Sequence, residues 1–183
     1  MASLRLIVGP MFSGKTTRLI EEIKKHSEDE IVVAKPSIDD RYSKTEIVTH
    51  DGVSFKAKVV DYRRRGCLKE LDREDLRVLF VDEINFFDYE LLSSEIDFFI
   101  EKGVDVWLAG VEYDFRKEVL GPIHFLRKRA DEIVELVARC DNCRREAKYN
   151  YNKKAIEGQI AVGGEELYGA CCEKCFDLLV KRG

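Results

Sequence analysis

The sequence predicts an α/β domain built on a parallel sheet with helices on both faces, followed by a small cysteine-bearing module. Three observations lead there. Short apolar runs alternate with amphipathic stretches over residues 1–138, the rhythm of parallel strands joined by crossover helices. The first apolar run ends in a glycine-rich turn that opens into a helical pattern. From position 140 onward, paired cysteines, glycines and tyrosines replace that rhythm. The change divides the chain into 1–138 and 139–183.

The elements follow in order. Residues 4–8 are an apolar run ending at Gly9, which reads as a buried strand. From Lys15 to about His26, Leu19, Ile20 and Ile23 recur at helical spacing. Residues 31–34 form a second buried strand, stopped by Pro36, and 37–52 are polar and turn-forming, a loop. Residues 53–60 alternate weakly, as one strand would, and 67–71 suit a short helix. Residues 78–81 are a third buried strand, ending in Asp82-Glu83. In 90–101, Leu91, Leu92, Ile96, Phe99 and Ile100 make one apolar helix face, closed by Gly103 as its C-terminal cap. A strand at 104–109 carries Trp107; a helix at 123–130 and a strand at 133–137 complete the pattern.

Composition limits the partners. The chain has 183 residues, 45% of them hydrophobic, enough for a real core, and 36% charged with 3 Pro, which argues against disorder. With 31 basic against 35 acidic residues the net charge is −4, which opposes a general nucleic-acid binder but leaves room for a local basic pocket. No segment reaches membrane-span length. Residues 1–8 run straight into the glycine turn and Lys15, so they read as a strand and not a signal peptide, and a cytoplasmic location is expected. Five of the six cysteines fall in the last quarter, which in a reducing compartment favours metal over disulfides.

Three constellations carry chemistry. Gly9-Pro10-Met11-Phe12-Ser13-Gly14-Lys15-Thr16 fits G-x-x-x-x-G-K-[ST] between a strand and a helix. Its glycines let consecutive N–H groups converge on one anion, and the helix start adds partial positive charge. Lys15 would reach the β- and γ-phosphates and Thr16 the shell of a Mg²⁺ ion. Asp82 and Glu83 end a strand at the edge where such sheets bind ligands, so Asp82 suits Mg²⁺ and Glu83 a base. An ATPase would use Glu83 on water and a kinase would use it on a substrate hydroxyl; the short chain favours the kinase. Cys140-x-x-Cys143 and Cys172-x-x-Cys175 can close a structural Zn²⁺ site, pinning both ends of the segment between them. Cys171 is out of register for the pair, and Cys67 reads as a structural or free thiol. Within the pinned segment, Val162-Gly163-Gly164 and Tyr168 read, from residue types alone, as a tight turn and a packed tyrosine.

Taken together, GPMFSGKT (9–16), KPSIDDRY (35–42), Thr49-His50-Asp51, DEINFF (82–87), Asp114-Phe115-Arg116, Val162-Gly163-Gly164 and both C-x-x-C pairs resemble one family, over nearly the whole chain. It is the thymidine kinases that join a RecA-like P-loop domain to a zinc-bearing lasso domain. The resemblance implies transfer of the ATP γ-phosphate to the 5′-hydroxyl of thymidine, with Mg²⁺ and structural Zn²⁺, in nucleotide salvage. By the same resemblance Glu83 is the general base, Lys15 grips phosphate, Thr16 and Asp82 hold the metal, and residues 9–16 with Asp82, Glu83, Ile84 and Asn85 hold ATP. Met11, Asp39, Arg41, Phe86, Val111, Phe115, Asn150, Val162, Gly163, Gly164 and Tyr168 surround the nucleoside, which gives Tyr168 a binding role. A homotetramer and feedback by dTTP are also implied. The chain departs from the family pattern at Asn85 (Gln), Val111-Glu112 (Leu-Asp), Val119-Leu120 (Pro-Phe) and Asn150 (a Thr near the thymine methyl). An altered base pocket is therefore expected, with deoxyuridine as a second acceptor. The competing readings are a P-loop ATPase with a zinc ribbon and a degenerate kinase that only senses nucleotides.

Overall fold

The fold is described from a computed structural model covering residues 1–39, 45–49, 51–154 and 163–180. In chain order the elements are β1 (Leu4–Val8), α1 (Lys15–Ile23), β2 (Ile31–Pro36), β3 (Glu46–Val48), β4 (Ser54–Lys56), β5 (Lys58–Val60), β6 (Val78–Val81), α2 (Tyr89–Glu101), β7 (Asp105–Gly110), α3 (Ile123–Leu126) and β8 (Glu132–Glu135). The cysteine-bearing part adds β9 (Ala138–Arg139), β10 (Glu146–Ala147), β11 (Tyr149–Asn152), β12 (Tyr168–Cys171) and α4 (Glu173–Val180).

Six strands form the central sheet in the order β5-β2-β6-β7-β1-β8, and every neighbouring pair is parallel. The two-residue period of a strand divides its side chains between two cores. Leu6, Leu79, Val81, Val106 and Leu108 face one side, where α2 packs Leu92, Ile96 and Phe99. Ile7, Val33, Phe80 and Trp107 face the other, where α1 packs Leu19, Ile20 and Ile23. Both faces are thus covered, which is why these strands are apolar runs and not alternating ones. The order also places β1 and β6, which carry the phosphate turn and the acid pair, on either side of β7.

Local chemistry sets the element ends. Asp88 caps α2 by accepting the Leu91 N–H at 3.0 Å. Gly103, at φ 83°, closes it: its N–H reaches the Ile100 carbonyl and the Val104 N–H reaches that of Phe99.

Four expectations need correction. The stretch 37–52 is not all loop, because β3 lies within it and pairs antiparallel with β4. Residues 53–60 are two strands: β4 belongs to that hairpin, and β5 joins the sheet beside β2 as a sixth strand. These three-residue strands each carry a charged residue beside one or two apolar ones, too short to show a period, so partners and not hydrophobicity define them. The helix expected at 123–130 stops at Leu126, and residues 127–130 continue as turns. At 67–71 only a 3₁₀ turn forms, Lys69–Leu71. The buried carboxylate of Glu95 holds that segment, accepting the Leu68 N–H at 2.6 Å and the Lys69 N–H at 3.0 Å.

The cysteine-bearing part builds its own core from Cys140, Ala147, Tyr151, Ala170, Cys171, Cys175 and Leu179. Phe12 of the phosphate turn packs against this core, so the two parts meet at the site.

Gly121 fixes another feature near the site. Its φ is +63°, and a Cβ there would sit 2.5 Å from the Asn85 carbonyl oxygen and 2.8 Å from the Asn85 Cα. That contact supports the turn Ile84–Phe86, which directly follows Glu83. Gly121→Ala is therefore expected to destabilise the fold by about 1–3 kcal/mol, read as a lowered Tm. An unchanged Tm would mean that the turn gives way easily.

Candidate active site

The turn between β1 and α1 curls as its sequence requires. Gly14 sits at φ 82°, and Phe12, with a side chain, at φ 65°. The Lys15 ammonium donates to the Pro10 carbonyl at 2.7 Å, and the Ser13 hydroxyl donates to the same oxygen at 2.8 Å. Lys15 is buried. At the start of α1, the Thr16 hydroxyl donates to Asp82 Oδ2 at 2.8 Å, which links β1's turn to the end of β6.

Asp82 is 4% exposed. Burial pushes its carboxyl up to about 7, and the neighbouring Glu83 adds to that rise; the Thr16 hydroxyl and the Glu83 N–H act against it. A carboxylate kept so far from water beside a second acid calls for a cation. Thr16 and Asp82 are the pair placed to hold a divalent one. Glu83 adopts the left-handed conformation, φ 54° and ψ 41°. For a residue with a side chain this costs about 1–3 kcal/mol, and such strain gathers at functional sites. It turns the chain out of β6 into the Ile84–Phe86 turn at the lip of a cleft that Glu83 lines.

That cleft has a volume near 430 Å³, within the range of small-molecule sites. The expected residues Met11, Phe12, Gly14, Lys15, Thr16, Asp39, Asp82, Glu83 and Val111 all line it. Other expected residues lie behind it. Ile84 is fully buried in the core, and the Asn85 side chain accepts the Val111 N–H at 3.1 Å, so it props the cleft wall from behind. Gly9 sits against the Leu136 carbonyl, 2.6 Å from where a Cβ would stand. Phe86 packs on Tyr62, with ring centres 6.4 Å apart. Phe115 and Tyr168 pack together at 6.4 Å, and Tyr168 donates its N–H to the Gly164 carbonyl. Gly163 and Gly164 are buried at the same turn. Arg41 and Val162, like His50, lie outside the described residues.

Sequence reasoning gave no site role to eight residues that line the cleft: Thr17, Lys35, Glu46, Ile47, Val48, Thr49, Asp51 and Glu165. Lys35 is the notable one. Its ammonium is buried at the end of β2, 3.7 Å from Asp39 Oδ2. The rule that ligands bind at the carboxyl ends of parallel strands would have found it.

Two family departures have structural explanations here. Glu112 is buried and makes a two-pronged pair with Arg127, both contacts at 2.7 Å. Asn150 is buried too, but its amide has partners: Oδ1 accepts the Met11 N–H at 3.2 Å, and Nδ2 donates to the Gly169 carbonyl at 3.3 Å.

The four cysteines Cys140, Cys143, Cys172 and Cys175 converge, their sulfurs all within 4.8 Å of one another. A zinc tetrathiolate with Zn–S near 2.3 Å separates its sulfurs by about 3.8 Å, and Cys143 and Cys172 stand 3.6 Å apart. Donors aim at the sulfurs as thiolates require: Asn142 Nδ2 at Cys175 (3.3 Å) and Arg145 Nε at Cys143 (3.4 Å). The cluster suits zinc in a closed, structural role. Cys171 stays out of it in the module core, where burial pushes its thiol up to about 12.

A curled glycine turn with its lysine and threonine, sharing a cleft with an acid pair at a strand end, is how P-loop enzymes hold a nucleoside triphosphate and its cation, and this chain is of that class. The comparisons narrow it. The family model described as thymidine kinase matches residues 2–176. The thymidine kinase of Mesomycoplasma hyopneumoniae (strain 7448) is 33% identical over 178 residues, covering 96% of this chain and 95% of that protein. That of Pseudothermotoga lettingae is 32% identical over 185 residues, covering 98% and 97%, and that of Thermococcus kodakarensis 33% over 184, covering 93% and 92%. The chain belongs to the thymidine kinase family. It is an ATP-dependent kinase that acts on a nucleoside with a divalent cation. No described helix is long and apolar enough to cross a membrane.

Proposed function

We propose that this enzyme transfers the γ-phosphate of ATP to the 5′-hydroxyl of thymidine, giving dTMP in salvage, with Glu83 as the base. One observation carries the reading: Glu83 lines the same cleft as Lys15 and Thr16. The triphosphate lies on the turn 9–16, where Lys15 leaves the Pro10 carbonyl to grip the β- and γ-oxygens. Thr16 and Asp82 hold Mg²⁺, which when bound offsets charge on the phosphate oxygens. Thymidine sits between the sheet edge and the lasso that Tyr168, Gly163 and Gly164 belong to, with Met11, Val111 and Phe115 nearby. Glu83 takes the hydroxyl proton as the 5′-oxygen attacks phosphorus in line, general-base help commonly worth ~10²–10⁴-fold. Lasso closure keeps water from competing as acceptor. Asp39, Arg41 and Phe86 border the nucleoside. Zn²⁺ on the four cysteines anchors the lasso. The family resemblance also supports a cytoplasmic homotetramer restrained by dTTP.

Purified enzyme assayed for ADP release with ATP and a panel of nucleosides tests the reading. Release should require thymidine. Equal release without any nucleoside would favour the ATPase, and no release with any nucleoside would favour a nucleotide sensor.

Val111, where the family has Leu, enlarges the cleft wall at the base. One methylene shifts discrimination by about 1–3 kcal/mol. The kcat/KM preference for thymidine over deoxyuridine should therefore be modest. A thousandfold preference or more would contradict this.

A further inference from the structure

One peptide unit, Pro10–Met11, is gripped from both sides. Its carbonyl accepts the Lys15 ammonium at 2.7 Å. Its N–H donates to Asn150 Oδ1 at 3.2 Å. Asn150 stands in β11, and its other amide atom, Nδ2, reaches across to the Gly169 carbonyl in β12 at 3.3 Å. Gly169 follows Tyr168 directly. Only 3% of Asn150 is exposed, so water does not substitute for either bond. The fit is tight at the far end as well, since a Cβ on Gly169 would come within 2.3 Å of both Asp141 Oδ2 and Tyr151 Cε1.

We propose that Asn150 is a positioning residue that couples the lasso to the phosphate-binding turn, so that nucleoside and ATP each strengthen the other's binding through the Pro10–Met11 peptide. This rests on the nucleoside kinase reading above. A peptide unit is planar and moves as one body. When Lys15 leaves the carbonyl for a phosphate, that peptide keeps only the Ser13 hydroxyl on its oxygen and Asn150 on its N–H. Any tilt of the peptide pulls on Asn150 and, through Nδ2, on the strand that bears Tyr168. In the reverse direction, closure of the lasso on a nucleoside sets β12, and Asn150 then holds the turn in one orientation. A side chain with an acceptor at one end and donors at the other can bridge an N–H to a carbonyl; a threonine offers a single oxygen for both. Replacing Asn150 removes the bond to the Met11 N–H on one side of the coupling and the bond to the Gly169 carbonyl on the other.

Coupling free energies are reciprocal, so two titrations measure the same quantity. Zinc-loaded enzyme is titrated with thymidine in the absence and presence of saturating Mg²⁺ and a non-hydrolysable ATP analogue, and with the analogue in the absence and presence of thymidine. The native protein should show the same enhancement in both directions, about fivefold or more. Asn150→Ala should bring the ratio close to one, and Asn150→Leu, which fills the volume without hydrogen bonds, should do likewise. In steady state both should raise the KM for thymidine measured at saturating ATP more than they lower kcat. An undiminished ratio in either variant overturns the proposal, as does a native protein with no enhancement. So does loss of fold in both variants, because a group needed only for coupling is not needed for folding. The function reading fails in a different way, through native enzyme that binds the analogue but no thymidine.

Discussion

Glu83→Gln should lower kcat by about 10²–10⁴-fold and leave ATP-analogue affinity within a few-fold of native. Glutamine keeps the size and one acceptor oxygen but takes up no proton near neutral pH. The loss therefore reports proton transfer and not packing, and it corresponds to about 3–5 kcal/mol in the barrier. Backbone geometry makes the substitution clean. Glu83 holds its left-handed φ of 54° where β6 passes into the Ile84–Phe86 turn, and the Asn85 contact with Gly121 braces that turn. Both acids line the cleft, but Glu83 is only half-buried, whereas Asp82 is buried and tied to the Thr16 hydroxyl. That difference divides the pair: the buried acid for a cation, the accessible one for a proton. Near-native turnover in Glu83→Gln would remove the base from the account.

Removal of zinc should have the second largest effect. Cys143→Ser, or exhaustive chelation under reducing conditions, leaves the remaining thiolates crowded within 4.8 Å of one another without the charge that holds them. Their feet anchor the turn after β9 and the start of α4, and between them run β11 and β12. The lasso should lose order, with thymidine KM rising more than tenfold or activity vanishing. Affinity for the ATP analogue should fall less, because most donors of the turn 9–16 belong to the sheet domain. It should fall to some degree, because Phe12 packs on the cysteine core and Met11 donates to Asn150. Zinc content and both affinities, measured on the same sample, check this. Full activity in metal-free reduced protein would contradict it.

What the sequence made legible was what lies contiguous in it. The phosphate turn, the acid pair and the cysteine knuckles each place their chemistry within a few residues, so spacing alone recovers them. The buried strands were legible because two covered faces demand unbroken apolar runs, as in residues 78–81. The short strands β3, β4 and β5 were not, since three residues with charged neighbours carry no period of their own. Side chains whose meaning comes from distant partners were equally hidden. Glu95 serves backbone donors 26 and 27 residues away, and Asn150 serves one 139 residues away. The resemblance suggested Asn150 only as a base-pocket residue; its bonds to the Met11 N–H and the Gly169 carbonyl needed the fold to appear. Lys35 was overlooked because a lysine ending a strand looks like a solvated one until the fold buries it.

Co-crystallisation of the enzyme with thymidine, Mg²⁺ and a non-hydrolysable ATP analogue goes most directly to the heart of the matter. The 5′-oxygen should stand about 2.6–3.2 Å from a Glu83 carboxylate oxygen, on the side of the cleft facing the γ-phosphate. A 5′-oxygen beyond reach of that carboxylate even through one water, or hydrogen-bonded to a different base, would contradict the mechanism.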